Sequence, residues 1–97
     1  MSITTITQFH AAPDQGNVLR GLLAEGRERM RAAEGCESFE LVQDENDAHS
    51  LTFIQHWASH DAHDSAFGER IMKTGHLDEV IAALDQPIVQ HTYTAVS

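Results

Sequence analysis

Basic residues are scarce in this chain: Lys and Arg number 6 against 15 Asp and Glu, so the 97 residues carry a formal charge of −9. Nucleic acid and anionic membrane surfaces are repelled at long range by such a balance, which says little about a small neutral molecule. Cysteine occurs once, at Cys36. That excludes an intramolecular disulfide framework and makes a reducing cytoplasm the expected compartment. No segment approaches the ~20 apolar residues of a membrane helix. No long apolar run precedes Arg20, the first basic residue, so no secretory leader is expected. Proline is rare, and no linker, repeat or low-complexity tract divides the chain, so residues 1–97 are expected to form a single domain. What remains is an ordinary globular composition, 41% hydrophobic and 22% charged. A chain this short buries a modest core, and a second protomer would add to it.

Residues 2–11, rich in Ile, Thr and Phe, suit a pleated surface and predict a strand. Pro13 and Asp14 interrupt it, with Asp14 a candidate N-cap. Leu19, Leu22, Leu23, Gly26, Met30 and Ala33 then recur at helical spacing, and Gly35 is suited to stop the helix. Residues 36–45 and 50–57 read as two strands joined by a short polar turn, hence an antiparallel hairpin. Ser59 and Asp61 open a second helix whose apolar side is Ala62, Ala66, Phe67, Ile71 and Met72, broken at Gly75. A short helix over 76–84 and a strand over 88–96, separated by Pro87, complete the chain.

The order strand, helix, strand, strand, helix, strand predicts an α+β fold of the ferredoxin-like split βαβ type, a four-stranded antiparallel sheet with helices on one face. Strand three carries Leu51, Phe53 and Trp57 on one side and Thr52, Ile54 and His56 on the other. Apolar groups on both sides make a solvated back face unfavourable. A homodimer stacked through that face is therefore expected.

The run GCESFELVQDENDAHSLTFIQHWASHDAHDSAF, from Gly35 to Phe67, resembles the antibiotic biosynthesis monooxygenase (ABM) family of dimeric α/β barrels. The matching positions are Gly35-Cys36, Phe39-Glu40-Leu41, the acidic turn from Asp44 to Asp47, Gln55-His56-Trp57, and Ser59 with Ala62. Two positions depart from the family pattern. Gln55 stands where the family often has Glu, and Ala66 where a His often follows the Trp by nine residues. The resemblance implies a pocket between sheet and helices in each protomer. It also implies oxygen insertion into quinol-like or polyketide-like aromatics without flavin, haem or metal, with molecular oxygen as co-substrate.

Such chemistry asks for a base working near neutrality, a donor to a developing oxyanion, and apolar walls that exclude water. The resemblance puts Trp57 at the pocket, and strand period two puts Gln55 on the same face. Each is either a working group or an ordinary interior side chain. His10 and His91, on the outer strands, are candidates for the base. Phe53, Phe67, Ile71, Met72 and Leu84 are candidate walls or plain core. Arg70 would balance an anionic substrate if it turned inward, and otherwise makes a surface ion pair. Tyr93 belongs to either the pocket or the dimer interface. His60 and His63, with Asp61 and Asp64, form a conceivable metal pair, but no third ligand stands at a diagnostic spacing. An exposed His-Asp helix face is the expectation there, so no metal and no cofactor are assigned. His49 is expected in solvent, and His76 in solvent or capping its helix. Cys36, with no activating base, reads as a buried thiol.

The composite expectation is a cofactor-independent monooxygenase. The alternatives are a non-catalytic dimer that binds a small ligand, an isomerase or lyase on the same scaffold, and a haem-degrading relative. Against the last, Ala66 and Phe67 occupy the positions where that branch has its haem-ligating His.

Overall fold

The computed structural model describes residues 2–96. Four strands, β1 (Ile3–His10), β2 (Cys36–Asp44), β3 (Asp47–Trp57) and β4 (Val89–Thr94), form one antiparallel sheet in the order β2-β3-β1-β4. Helix α1 (Gly16–Arg31) joins β1 to β2, and α2 (His60–Phe67) follows β3. A π-helical turn (Gly68–Met72) and α3 (His76–Ala82) lead to β4. This is the ferredoxin-like α+β arrangement that the element order predicts.

Alternation along the central strands sets the two sheet faces. Ile3, Thr5, Thr7 and Phe9 of β1 are buried, as are Leu51, Phe53, Gln55 and Trp57 of β3. The register pairs Thr7 with Phe53 and Thr5 with Gln55, so these residues share the helix-covered face. Leu19, Leu23, Gly26 and Met30 are the buried stripe of α1 laid over it. Phe53 sits edge-on to both Phe9 and Phe39, at centroid distances of 5.2 and 4.7 Å, the arrangement aromatic quadrupoles favour.

Local signals are met with three differences. Ser59 caps α2 as expected, its hydroxyl accepting from the Ala62 N–H at 3.1 Å. Gly35 and Gly75 take left-handed backbone angles, φ 88° and 76°. A Cβ at Gly35 would also stand 2.5 Å from the Ala62 Cβ, so strand and helix approach closely there. Asp14, in contrast, is not the cap of α1. It turns the chain with φ 68°, and Gln15 takes the cap position without a side-chain hydrogen bond. The polar turn between β2 and β3 is also shorter than expected, because β3 starts at Asp47. The third difference is the π turn, in which the Lys73 N–H donates to the Gly68 carbonyl five residues back. Its wider winding shifts the helical phase, so Ile71 is buried while Met72 is 57% exposed.

Candidate active site

Between sheet and helices lies an apolar cavity of about 80 Å³, partly open to solvent. Phe9, Phe39 and Phe53 form its sheet wall, and Leu23, Met30, Phe67, Ile71 and Val80 its helical wall. Five polar side chains also reach it: Thr7, Gln55, His63, His76 and Gln90. A mostly apolar hollow with a few convergent polar groups is the usual form of a small-molecule site.

Gln55 and Trp57 project from the same face of β3, and the fully buried indole donates Nε1–H to the Gln55 Oε1 at 2.9 Å. Indole N–H is a donor only, so this contact settles which end of the amide is oxygen. Gln55 itself is 3% exposed and lines the cavity, whereas Trp57 lies behind it and does not. With the carbonyl engaged, the hydrogen-bonding capacity left to Gln55 is chiefly its NH₂ group, a donor.

His63 is brought to the cavity by α2. Its ring meets Trp57 edge to face at 5.5 Å and lies parallel to Phe67, 7° from coplanar at 6.0 Å. Nδ1 is 3.0 Å from an Asp64 carboxylate oxygen, an acceptor, so Nδ1 carries a proton. The expectation of an exposed His-Asp face over α2 therefore holds for His60 and fails for His63, which is 9% exposed. His63 precedes Ala66 and Phe67 by three and four residues, so the helical stripe already contained the signal that it turns inward.

His76 also departs from expectation. It is 2% exposed, wedged against α1 where Gly26 leaves room, with Nε2 donating to the Leu22 carbonyl at 2.8 Å. Its Nδ1 lies 3.3 Å from a Glu25 carboxylate oxygen but makes no hydrogen bond. Gly75 reverses the chain before it, which delivers the ring into the helix interface instead of solvent.

Of the other expected site residues, Phe53, Phe67 and Ile71 line the cavity. Met72 does not, for the reason of helical phase given above. Leu84 borders a separate surface depression beside Pro87 and Ile88. Arg70 is exposed and donates to the Arg29 carbonyl at 3.0 Å.

His10 and His91 lie on the opposite sheet face, since the register pairs His91 with Ile6 and His10 with Ser50. Tyr93 is there too, opposite Thr4 and 49% exposed. His10 is held by two carboxylates, Asp85 at 2.7 Å from Nδ1 and Asp47 at 3.2 Å from Nε2. The hydrogen bond from His10 to Asp85, with the charges of Asp85 and Asp47, raises the His10 pKa above 6.5 against a smaller opposing effect of desolvation. His49 is half-buried and stacks on His10 at 6.1 Å. The Cys36 thiol is half-buried, and desolvation, then Glu37, raises its pKa, which disfavours the nucleophilic thiolate. Among the described residues no group of three or more His, Cys, Asp or Glu side chains is placed to hold a metal ion. No helix among them is long and apolar enough to cross a membrane.

Comparison with known proteins agrees with this fold. The sequence matches the model of the antibiotic biosynthesis monooxygenase family over residues 2–77. No curated protein matches it. Among solved structures, Rv0793 from Mycobacterium tuberculosis is 23% identical with a TM-score of 0.90, over 100% of this chain and 97% of that one. PA3566 from Pseudomonas aeruginosa is 24% identical with a TM-score of 0.85, over 99% and 95%. SnoaB from Streptomyces nogalater, a cofactor-independent oxygenase, is similar in a variant form at 17% identity and a TM-score of 0.84, over 99% and 94%. At these identities the likeness is one of fold.

Proposed function

This chain belongs to the antibiotic biosynthesis monooxygenase family, and we propose that it is a cofactor-independent monooxygenase of a small quinol-like or anthrone-like aromatic. The observation that carries this reading is the apolar cavity with the Gln55 amide at its wall, its carbonyl tied to Trp57. An ionised phenol or enol is electron-rich enough to reduce oxygen. Forming it in an apolar hollow requires a hydrogen-bond donor at the developing anion. Gln55 supplies that donor through its NH₂, and Trp57 is a positioning residue that holds the amide in one orientation.

For a substrate with an activated CH₂, the reaction balances without an external reductant. Both C–H bonds break, one oxygen atom becomes the new carbonyl, and the other leaves in water. The four electrons that oxygen takes come from those two bonds. The walls of Phe39, Phe53 and Phe67 exclude bulk water from the intermediate.

The working unit in this reading is a homodimer stacked through the sheet face opposite the helices, and its compartment is the cytoplasm. Ile6, Ile54, Val42, Val89 and Tyr93 share that face by register, and the last three are at least 38% exposed. Such a surface costs free energy in water and suits an isologous contact.

The deciding experiment is oxygen uptake by metal-stripped protein offered a panel of hydroquinones and anthrones, with Gln55→Leu and Trp57→Phe alongside. Uptake above the buffer rate that falls in both variants supports the reading. No uptake across the panel, with ligands still quenching Trp57 fluorescence, means a binding module or a non-oxidative enzyme instead.

A further inference from the structure

Resting on that reading of the cavity, we infer that His63 is the proton acceptor of the site: its Nε2 takes the hydroxyl proton of a bound phenol, with Asp64 as its positioning residue. Three observations converge on it. The Asp64 carboxylate takes the proton of Nδ1, so in the neutral ring the lone pair is on Nε2. No hydrogen bond within the protein engages Nε2 among the described residues, and the ring lines the cavity. The plane of the ring is set by Phe67 on one side and Trp57 at its edge, so the lone pair has a defined direction.

The other histidines lack this combination. His76 spends Nε2 on the Leu22 carbonyl, and His10 has both nitrogens on carboxylates on the opposite sheet face. The step itself is a proton transfer. The phenolic O–H bond breaks, an N–H bond forms at Nε2, and the electron pair stays on the phenolate oxygen. The imidazolium so formed lies beside Asp64, and the phenolate has the NH₂ of Gln55 in the same cavity. Without these two partners an apolar hollow would favour the neutral phenol. Enhanced ionisation on binding is therefore a signature that packing alone cannot produce.

The test uses 4-nitrophenol, whose anion absorbs in the visible, at a pH below the pKa of the free phenol. Its methyl ether, which has no proton to give, reports cavity integrity. Binding to the wild-type protein is expected to raise the ratio of anion to neutral ligand above that in buffer. His63→Gln should bind the ether as the wild type does while the anion ratio falls roughly tenfold, the equivalent of one pKa unit. Asp64→Ala, a change at an exposed residue that leaves the packing of the ring in place, should lower the ratio by a few-fold.

An unchanged ratio in His63→Gln overturns the inference. So does wild-type protein that binds the phenol only in neutral form, or not at all. Oxygen uptake is scored separately. Ionisation without uptake from any substrate leaves His63 in its role and removes the oxygenase reading. Uptake at full rate in His63→Gln does the reverse.

Discussion

Trp57 and Gln55, two residues apart on one face of β3, are joined by a hydrogen bond of 2.9 Å from indole nitrogen to amide oxygen. Both are buried, but Gln55 alone reaches the cavity. The pair is thus a donor group at a cavity wall and the group behind it that fixes its orientation.

Removing one partner should cost more than the bond is worth. Gln55→Leu leaves the buried indole N–H unpaired, a penalty of about 1–3 kcal/mol. Adding Trp57→Phe removes the orphaned donor, so the double variant should lose less than the sum of the singles. Urea unfolding of the four proteins gives the coupling energy directly. Additive losses would mean the bond is absent in solution.

Two glycines of α1, Gly21 and Gly26, should respond differently to the same substitution. Nothing lies within 4 Å of a Cβ at Gly21, whereas one at Gly26 would stand 3.2 Å from the His76 Nε2. His76 is enclosed and bonded to the Leu22 carbonyl, so it has little room to retreat. Gly21→Ala is expected to stabilise by about 0.4–1 kcal/mol through helix propensity and a less flexible unfolded chain. Gly26→Ala should give no gain or a loss. Thermal melts of the two variants decide it.

Stability should depend on pH through the cluster of His10, Asp47 and Asp85. The His10 pKa is raised by Asp85 foremost, so its contribution is complete below about 6.5 and is lost as pH rises through the higher folded value. Asp47 is lowered, chiefly by the backbone N–H of His49 and then by His10. Its contribution is present above 3.8 and disappears as pH falls through the depressed folded value. His10→Gln should remove the alkaline slope from a plot of Tm against pH and reduce the acid one, because His10 also helps to lower Asp47. A slope unchanged by the substitution would assign it to another group.

Sedimentation at micromolar concentration should give a species of twice the 10.7 kDa protomer mass. Ile54→Asp, on the open sheet face opposite Ile6, should shift it to the protomer. A protomer-sized wild type would remove the stacked-sheet dimer from the proposed function.

The sequence by itself determined the order of the elements and, along the strands, the residues that share a side. Period-two alternation in SLTFIQHW put Gln55 and Trp57 together, and Ser59 and Gly75 marked helix boundaries without tertiary help. These are local properties of the backbone, set by neighbours a few residues away. Tertiary structure decided what each side faces. Strand register sent His10, His91 and Tyr93 away from the cavity, the π turn sent Ile71 inward and Met72 outward, and the space above Gly26 drew in His76. His63 combines the two. Helical spacing grouped it with Ala66 and Phe67, but only the docking of α2 on β3 made that side the wall of the cavity. Periodicity records which side chains travel together, and the burial free energy that chooses their destination belongs to residues far away in the chain.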